Sequence, residues 1–411
     1  MAPAELAGLV EPGQRNVAKR WLILGCALAV QIAVAAVATS LPVLLPLVKA
    51  EFNLTFGQAA LVVNFSFFGT FFALILAGWF VDEFGERWVL VIGCISVGLA
   101  AIACSFAPLF AIILALVLVM GVGMATPTPA GSAAVRSAFP LRLRGTVMGV
   151  RQAGFPLGGF LAALLLPMIA IVHGWRIALM LAGIGAVIVG IACFVLYPMP
   201  RGRRPDESPQ RASLSMRPIF GNGVLLVGLG GALLVMGQFI LITFVIAFLI
   251  HDRHVSIATA GFVLAIAQLT GAIGRVAWGV VSDRFLRGNR KLSLVLAAAT
   301  GAVGSLGLAI LSDYAPLPVI VIVIVICAFG ILGWNGVLVS FLSETANPGA
   351  EGRTVASGLM LTQPGIVIGP FLFGLVVDST QSFRLAWLLL AAVLGVAILI
   401  MSRVPNRRPA F

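Results

Sequence analysis

The chain has 411 residues, of which 61% are hydrophobic and 10% charged, and its 26 Lys and Arg against 14 Asp and Glu leave a formal net charge of +12. A soluble domain carries about a quarter charged residues, so this composition excludes a water-soluble globular protein and makes lipid the solvent for most of the chain. The positive balance does not fit nucleic acid as a partner, because the basic residues sit in short loops between long apolar runs.

In chain order, the first apolar run covers about 21–47 and follows Arg15, Lys19 and Arg20. It is longer than a signal-peptide core and no small-residue cleavage pattern follows, so it reads as a retained first span. Eleven more runs lie at about 58–81, 88–106, 109–135, 145–171, 175–197, 220–250, 257–281, 291–312, 316–343, 353–377 and 384–403. A helix needs roughly 20 apolar residues to cross hydrocarbon. Helix is the assignment because lipid cannot satisfy bare backbone groups, and the runs are far too long for barrel strands.

With the N-terminus inside, 20 of the 26 Lys and Arg fall in inner segments and four (Lys49, Arg176, Arg253 and Arg384) in outer ones, with the last two inside spans. That asymmetry predicts both termini in the cytoplasm, an even number of spans and a multi-pass protein of the cell membrane. The longest polar connection, 198–218, holds Arg201, Arg203, Arg204 and Arg211 with Pro205 and Pro209, and reads as a solvated inner linker. It divides the chain into an N-terminal six-span unit, 1–197, and a C-terminal one, 219–411. The five cysteines (Cys26, Cys94, Cys104, Cys193 and Cys327) match neither a metal site nor a disulfide framework and read as packing residues.

The two units resemble each other. Gly78-Trp-Phe-Val-Asp82-Glu-Phe-Gly85-Glu86-Arg87 follows the second span, and Gly279-Val-Val-Ser-Asp283-Arg284 follows the eighth, 201 residues on from Asp82 to Asp283. Gln152-Ala-Gly154-Phe-Pro-Leu-Gly158 in the fifth span pairs with Gln363-Pro-Gly365-Ile-Val-Ile-Gly369 in the eleventh, at a shift of 211. Two like bundles around a central path is the plan of a carrier that rocks one half against the other.

The stretch from Gly78 to Arg87, its weaker copy at Asp283, the span count and the long central loop together resemble the major facilitator superfamily over the whole chain. The resemblance implies an all-α integral membrane fold of twelve transmembrane helices in two pseudo-symmetric six-helix bundles. It also implies an inner-face latch built from Gly78, Asp82, Gly85, Arg87, Asp283 and Arg284, which is closed when the cavity faces outward. Glu86 departs from the pattern, which often has a basic residue there, so the local charge network is expected to differ.

All 14 acidic residues lie in tails, loops or span ends, whereas Arg151 and Arg275 lie well inside spans. Each costs about 2.5–3.5 kcal/mol at the centre of a bilayer on insertion scales. With no carboxylate in the hydrocarbon to pair with, the simplest offset is a watered cavity and a bound anion. Gly271-Ala-Ile-Gly274-Arg275-Val-Ala-Trp278-Gly279 resembles the eighth helix of monocarboxylate and oxalate/formate-type facilitators, where an arginine meets a substrate carboxylate. Arg144-Gly-Thr-Val-Met148-Gly-Val-Arg151-Gln152 resembles the fifth helix of cyanate- and nitrate-like permeases. The two arginines are candidates to clamp one anion, against the plainer reading that they bond to backbone carbonyls or reach for phosphates. Helices one, four, seven and ten line the cavity in that family, which makes Gln31, Thr126, Gln238 and Asn335 candidate substrate contacts. Gln152 and Gln363, which the repeat superimposes, are candidates as well. Gly154, Gly158, Gly365 and Gly369 read as close-packing faces, and the cluster from Phe65 to Phe72 as packing or lipid contact rather than a pocket.

The function expected is secondary transport of a small anion, most simply a monocarboxylate, by a monomer in the lipid bilayer. No cofactor, metal or nucleic acid is implied. The alternative is proton-coupled efflux of drugs or other small molecules, which ordinarily needs a membrane carboxylate that this chain lacks. A membrane enzyme is disfavoured, since no nucleophile–base pair or metal-ligand set lies within a span.

Overall fold

The computed structural model describes residues 12–139, 147, 148, 150–198, 223–311, 314–345 and 351–405, so the predicted 198–218 linker, apart from Pro198, lies outside the described residues. Every element among them is helical. The first half holds α1 (Pro12–Glu51), α2 (Phe56–Phe84), α3 (Glu86–Ser105), α4 (Phe110–Met124), α5 (Pro127–Ala138) and α6 (Gly154–Leu196). The second holds α7 (Val224–Arg253), α8 (Ile257–Val280) with a π-helical turn at Val281–Phe285, α9 (Arg290–Leu311), α10 (Leu317–Gly333), α11 (Asn335–Thr345), α12 (Glu351–Thr380) and α13 (Phe383–Ser402).

Local chemistry sets the ends. Thr55 and Gln58 form a capping box that starts α2. Ser256 starts α8 by accepting the Thr259 N–H. Gly85, at φ 84° and ψ 161°, lets the chain turn from α2 into α3, a conformation a residue with a Cβ rarely adopts. Pro127 opens α5 at a position that needs no N–H. Eleven described stretches are long and apolar enough to cross a bilayer. One of them, Val150–Leu196, has 47 residues and would extend about 70 Å as a single helix, more than twice the hydrocarbon thickness. It breaks at Gly174, whose φ of 83° and ψ of 160° are not helical.

The internal repeat reappears in the packing. A Cβ on Gly154 would lie 2.8 Å from Gln31 Cγ, and one on Gly158 2.3 Å from the Ile32 carbonyl oxygen, both on α1. At the equivalent places in the second half, a Cβ on Gly365 would lie 2.0 Å from the Ala232 carbonyl oxygen, and one on Gly369 2.5 Å from Met236 Cγ, both on α7. Each half therefore presses one helix onto its first helix through the same pair of glycines, the close-packing role read from the sequence. The outside of the bundle keeps large apolar side chains exposed, among them Phe72, Val172, Ile188 and Leu399, as lipid contact requires.

The halves meet through α6 with α8, α2 with α12 and α1 with α7. Lys291 Nζ donates to the Val404 carbonyl at 2.9 Å, so the start of α9 and the residues just past α13 share one end of the molecule, here called the terminal end. Glu51, Phe56 and Asp378 mark the opposite, distal end.

Candidate substrate path and gates

Arg151 stands just before α6 and is wholly buried. Its Nη1 donates to Gln31 Oε1 on α1 and to the Pro127 carbonyl on α5, both at 3.1 Å, and its Nε lies 3.4 Å from Met148 Sδ. Its Nη2 is buried with no hydrogen-bond partner among the described residues. Gly131 makes room for it, since a Cβ there would lie 2.9 Å from Nη1. Arg151 thus sits within the first half, tying its first, fourth and fifth spans together.

Arg275 on α8 is half-buried and crosses between the halves. Its Nη1 donates to the Gln152 carbonyl at 3.1 Å and its Nε to the Leu332 carbonyl at 3.3 Å. Gln152 has a carbonyl to spare because the residue four places on is Pro156, which has no N–H to give. Leu332 lies at the end of α10, where Trp334 interrupts the run into α11. Interrupted spans with freed carbonyls at mid-membrane depth are the places where carriers hold polar cargo. Arg275 Nη2 makes no hydrogen bond among the described residues. Neither arginine is in an ion pair among the described residues. The structure therefore anchors Arg275 one residue along the chain from Arg151, and both guanidinium groups rest on backbone carbonyls.

A narrow cavity opens between α1, α2, α4, α6 and α7. Phe67, Phe155, Phe239, Met120 and Met124 line it, and among the described residues its polar side chains are Thr39 and Ser66. Both hydroxyls turn to their own helix, Thr39 to the Ala35 carbonyl and Ser66 to the Val63 carbonyl, each at 2.7 Å.

The other expected contacts divide. Gln31 is taken by Arg151. Gln238 accepts from Asn335 Nδ2 at 3.1 Å, which joins α7 to α11 beside the cavity residue Phe239. Gln152 exposes its side chain while its carbonyl holds Arg275, and Gln363 is half-buried. Thr126 turns elsewhere: its hydroxyl donates to the Gly123 carbonyl, and it packs on Gly93 of α3, where a Cβ would lie 1.8 Å from Thr126 Oγ1. The interruption between α4 and α5 rotates it away from the cavity wall, which at this level is Met124. Of the phenylalanine cluster, Phe67 lines the cavity, while Phe68, Phe71 and Phe72 are exposed.

At the terminal end, the surroundings of Gly78 and the side chain of Asp82 lie outside what the structure describes, so the expected latch is visible only in part. Arg87 sends Nη2 to the Phe194 carbonyl at 2.5 Å and lies 4.9 Å over the Phe194 ring. Glu86 takes the place of the usual basic residue and accepts from Ser137 and Tyr197 hydroxyls at 3.2 and 3.3 Å. In the second copy, Asp283 pairs with Arg290, which also reaches Glu344 at 2.9 Å and Ser282 at 3.0 Å. Arg284 is exposed.

Sequence reading missed the distal end. Asp378, at the end of α12, accepts the Phe56 N–H at 2.7 Å and the Gly57 N–H at 2.6 Å. Phe56 also stacks on Phe383 and Phe244, and Lys49 lies 4.3 Å over its ring. The signal in the sequence was an acidic residue ending one half's span and a helix start without an acidic residue in its first turn in the other, and nothing in a linear chain joins the two.

Comparison with known proteins agrees with this architecture. The Major Facilitator Superfamily model matches residues 26–363 and 227–410. An MFS-type transporter of Mycobacterium tuberculosis is 29% identical over 378 residues, spanning 91% of this chain and 83% of the relative. A probable sulfoacetate transporter of Cupriavidus necator is 27% identical over 379 residues, spanning 86% of each. Among solved structures, a bacterial homologue of the human lysosomal transporter Spinster, in an inward-facing and occupied conformation, superimposes with a TM-score of 0.80 at 16% identity, over 95% of this chain and 99% of that one. The repeat, the paired glycine contacts and the matched models converge on one assignment: the chain belongs to the Major Facilitator Superfamily.

Proposed function

We propose that this protein carries a small organic anion across the cell membrane by alternating access, and that Arg275 meets the passenger's charge. The observation that carries the reading is the state of Arg275: a half-buried guanidinium between the halves, resting on two freed carbonyls, with neither an ion-pair partner nor a hydrogen bond at Nη2 among the described residues. The two carbonyls solvate part of this charge, and water or a bound anion at Nη2 would complete it. Arg151, one residue from the Gln152 anchor, adds a second positive charge to that level and fixes the helix breaks. The Cupriavidus relative is a probable transporter of sulfoacetate, a small organic anion, which supports the same class here.

The carrier makes twelve crossings, with the 47-residue stretch counted as two spans that meet at Gly174, and both termini lie in the cytoplasm on the charge asymmetry of the loops. On this reading the distal end is the outer face. Asp378 closes it, and Asp82, Arg87, Asp283 and Arg284 belong to the inner gate, with Arg290 and Glu344 added to it. Gln238 and Asn335 stand beside the cargo, with Gln152 and Gln363 flanking the path.

The test is counterflow in proteoliposomes. Vesicles preloaded with an unlabelled carboxylate or sulfonate should accumulate the same labelled anion, and vesicles preloaded with a lipophilic cation should not accumulate labelled cation. The opposite pattern would replace anion carriage with cation efflux.

A further inference from the structure

We infer that the cargo is an anion with a compact apolar body, an aryl or branched-alkyl acid without hydroxyls, whose body seats in the cavity walled by Phe67, Phe155 and Phe239. The inference rests on the reading of Arg275 as the group that meets the charge and adds the other half of the molecule being carried.

The cavity begins where the arginine level ends. Phe155 lies three residues past Gln152, so the aromatic wall starts about 4.5 Å, less than one helical turn, along the chain from the residue whose carbonyl holds Arg275. Met124, on the opposite wall, lies three residues before Pro127, whose carbonyl holds Arg151. A ligand with its charge at the arginines therefore projects its body into the cavity.

The wall then selects the body. Phe67 and Phe239 meet edge to face with centroids 4.7 Å apart, leaving ring faces and edges for an aromatic or aliphatic guest. Met120 and Met124 add polarizable, adaptable contacts. The two hydroxyls in the wall, on Thr39 and Ser66, already donate to carbonyls of their own helices. A sugar acid would bring several hydroxyls against a wall whose described residues offer no free donors and almost no acceptors. Each hydroxyl buried without a partner costs roughly tenfold or more in affinity. Hydroxylated acids are therefore excluded by desolvation, while ring-bearing and branched acids gain from burial.

The experiment is thermal stabilisation of the purified full chain by benzoate, phenylacetate, pivalate, acetate and glucuronate, repeated with Ala38→Phe and with Arg275→Ala. The cavity-filling Ala38→Phe variant tests the seat, since Ala38 lines the cavity. The wild-type protein should be stabilised by benzoate, phenylacetate or pivalate at concentrations at least tenfold below those needed for glucuronate. Ala38→Phe should weaken the ring-bearing acids at least tenfold and leave acetate unchanged, and Arg275→Ala should weaken all of them. Glucuronate matching the apolar acids in the wild-type protein, or no stabilisation by any apolar acid, overturns the inference. So does ring-acid binding indifferent to Ala38→Phe in a variant that still binds acetate. Full binding of every anion by Arg275→Ala would instead overturn the reading beneath it.

Discussion

The Asp378 carboxylate of the second half caps the helix that begins at Phe56 in the first half. The four N–H groups at the start of α2 are all satisfied: Thr55 by Gln58, Gln58 by Thr55, and Phe56 and Gly57 by Asp378. Two of the four partners are supplied across the interface, so separating the halves at this end strands two donors and removes a carboxylate from a helix N-terminus, where the dipole favours it. The distal closure is thereby self-contained and reversible, as a carrier's gate has to be.

Replacing Asp378 with Asn keeps the shape, removes the charge and leaves one of the two N–H groups facing an amide nitrogen that cannot accept. A hydrogen bond to a charged group contributes about 1.5–3 kcal/mol, against about 1 kcal/mol for a neutral one. Asp378→Asn should therefore shift the gate toward opening by roughly tenfold. The check is the labelling rate of an Ile242→Cys reporter in the cavity by a membrane-impermeant thiol reagent added from the outer side, in a background where the five native cysteines, all buried, set a low baseline. A rate unchanged by Asp378→Asn would mean that the pair does not hold the gate.

Gly374 allows the approach that makes this capping possible. A Cβ there would lie 2.9 Å from Gly57 N and from Phe56 C and O, all backbone atoms that cannot swing aside. Gly374→Ala should lower stability by about 1–3 kcal/mol and open the distal end in the same labelling assay. Gly185→Ala, which meets nothing within 4 Å, should leave both readouts unaltered. Equal melting temperatures for the two variants would refute the close-approach argument.

Pro156 keeps the Gln152 carbonyl available to Arg275. Pro156→Ala returns an N–H to that carbonyl's intrahelical position and makes it compete with the guanidinium. The expected result is a helix as stable as before or more so, with anion affinity reduced about three- to tenfold, the scale of one hydrogen bond. Titration of an anion against the two proteins measures this, and identical affinities would show that Arg275 is held by other means.

Much of this was legible in the sequence because it follows from local chemistry. Apolar run lengths locate the helices, and the Gly154/Gly158 and Gly365/Gly369 pairs mark the repeat that the packing reproduces. Arg151 and Arg275 are conspicuous because a cation in hydrocarbon needs a reason. What escaped depends on rotation and on long-range contact. Thr126 sits on the right helix, but the interruption before Pro127 turns it to Gly93. Arg290 rather than Arg284 pairs with Asp283, because the π-helical turn at Val281–Phe285 resets the register of the charged loop. Asp378 answers to backbone donors more than 320 residues away, and backbone N–H groups have no sequence signature. Phe67 belongs to the cavity while its neighbour Phe68 is exposed, a division that the cluster's composition does not reveal.

The most direct test of the whole account is the affinity of reconstituted wild-type, Arg275→Lys and Arg275→Ala proteins for a carboxylate such as benzoate, read alongside its uptake. Truncating one partner of a buried charge contact costs about 2–5 kcal/mol, so Arg275→Ala should lose thirtyfold or more in affinity and nearly all uptake. Arg275→Lys, which keeps the charge but loses the planar fork, should fall between the two. Wild-type affinity and uptake in Arg275→Ala would contradict the claim that this guanidinium meets the passenger.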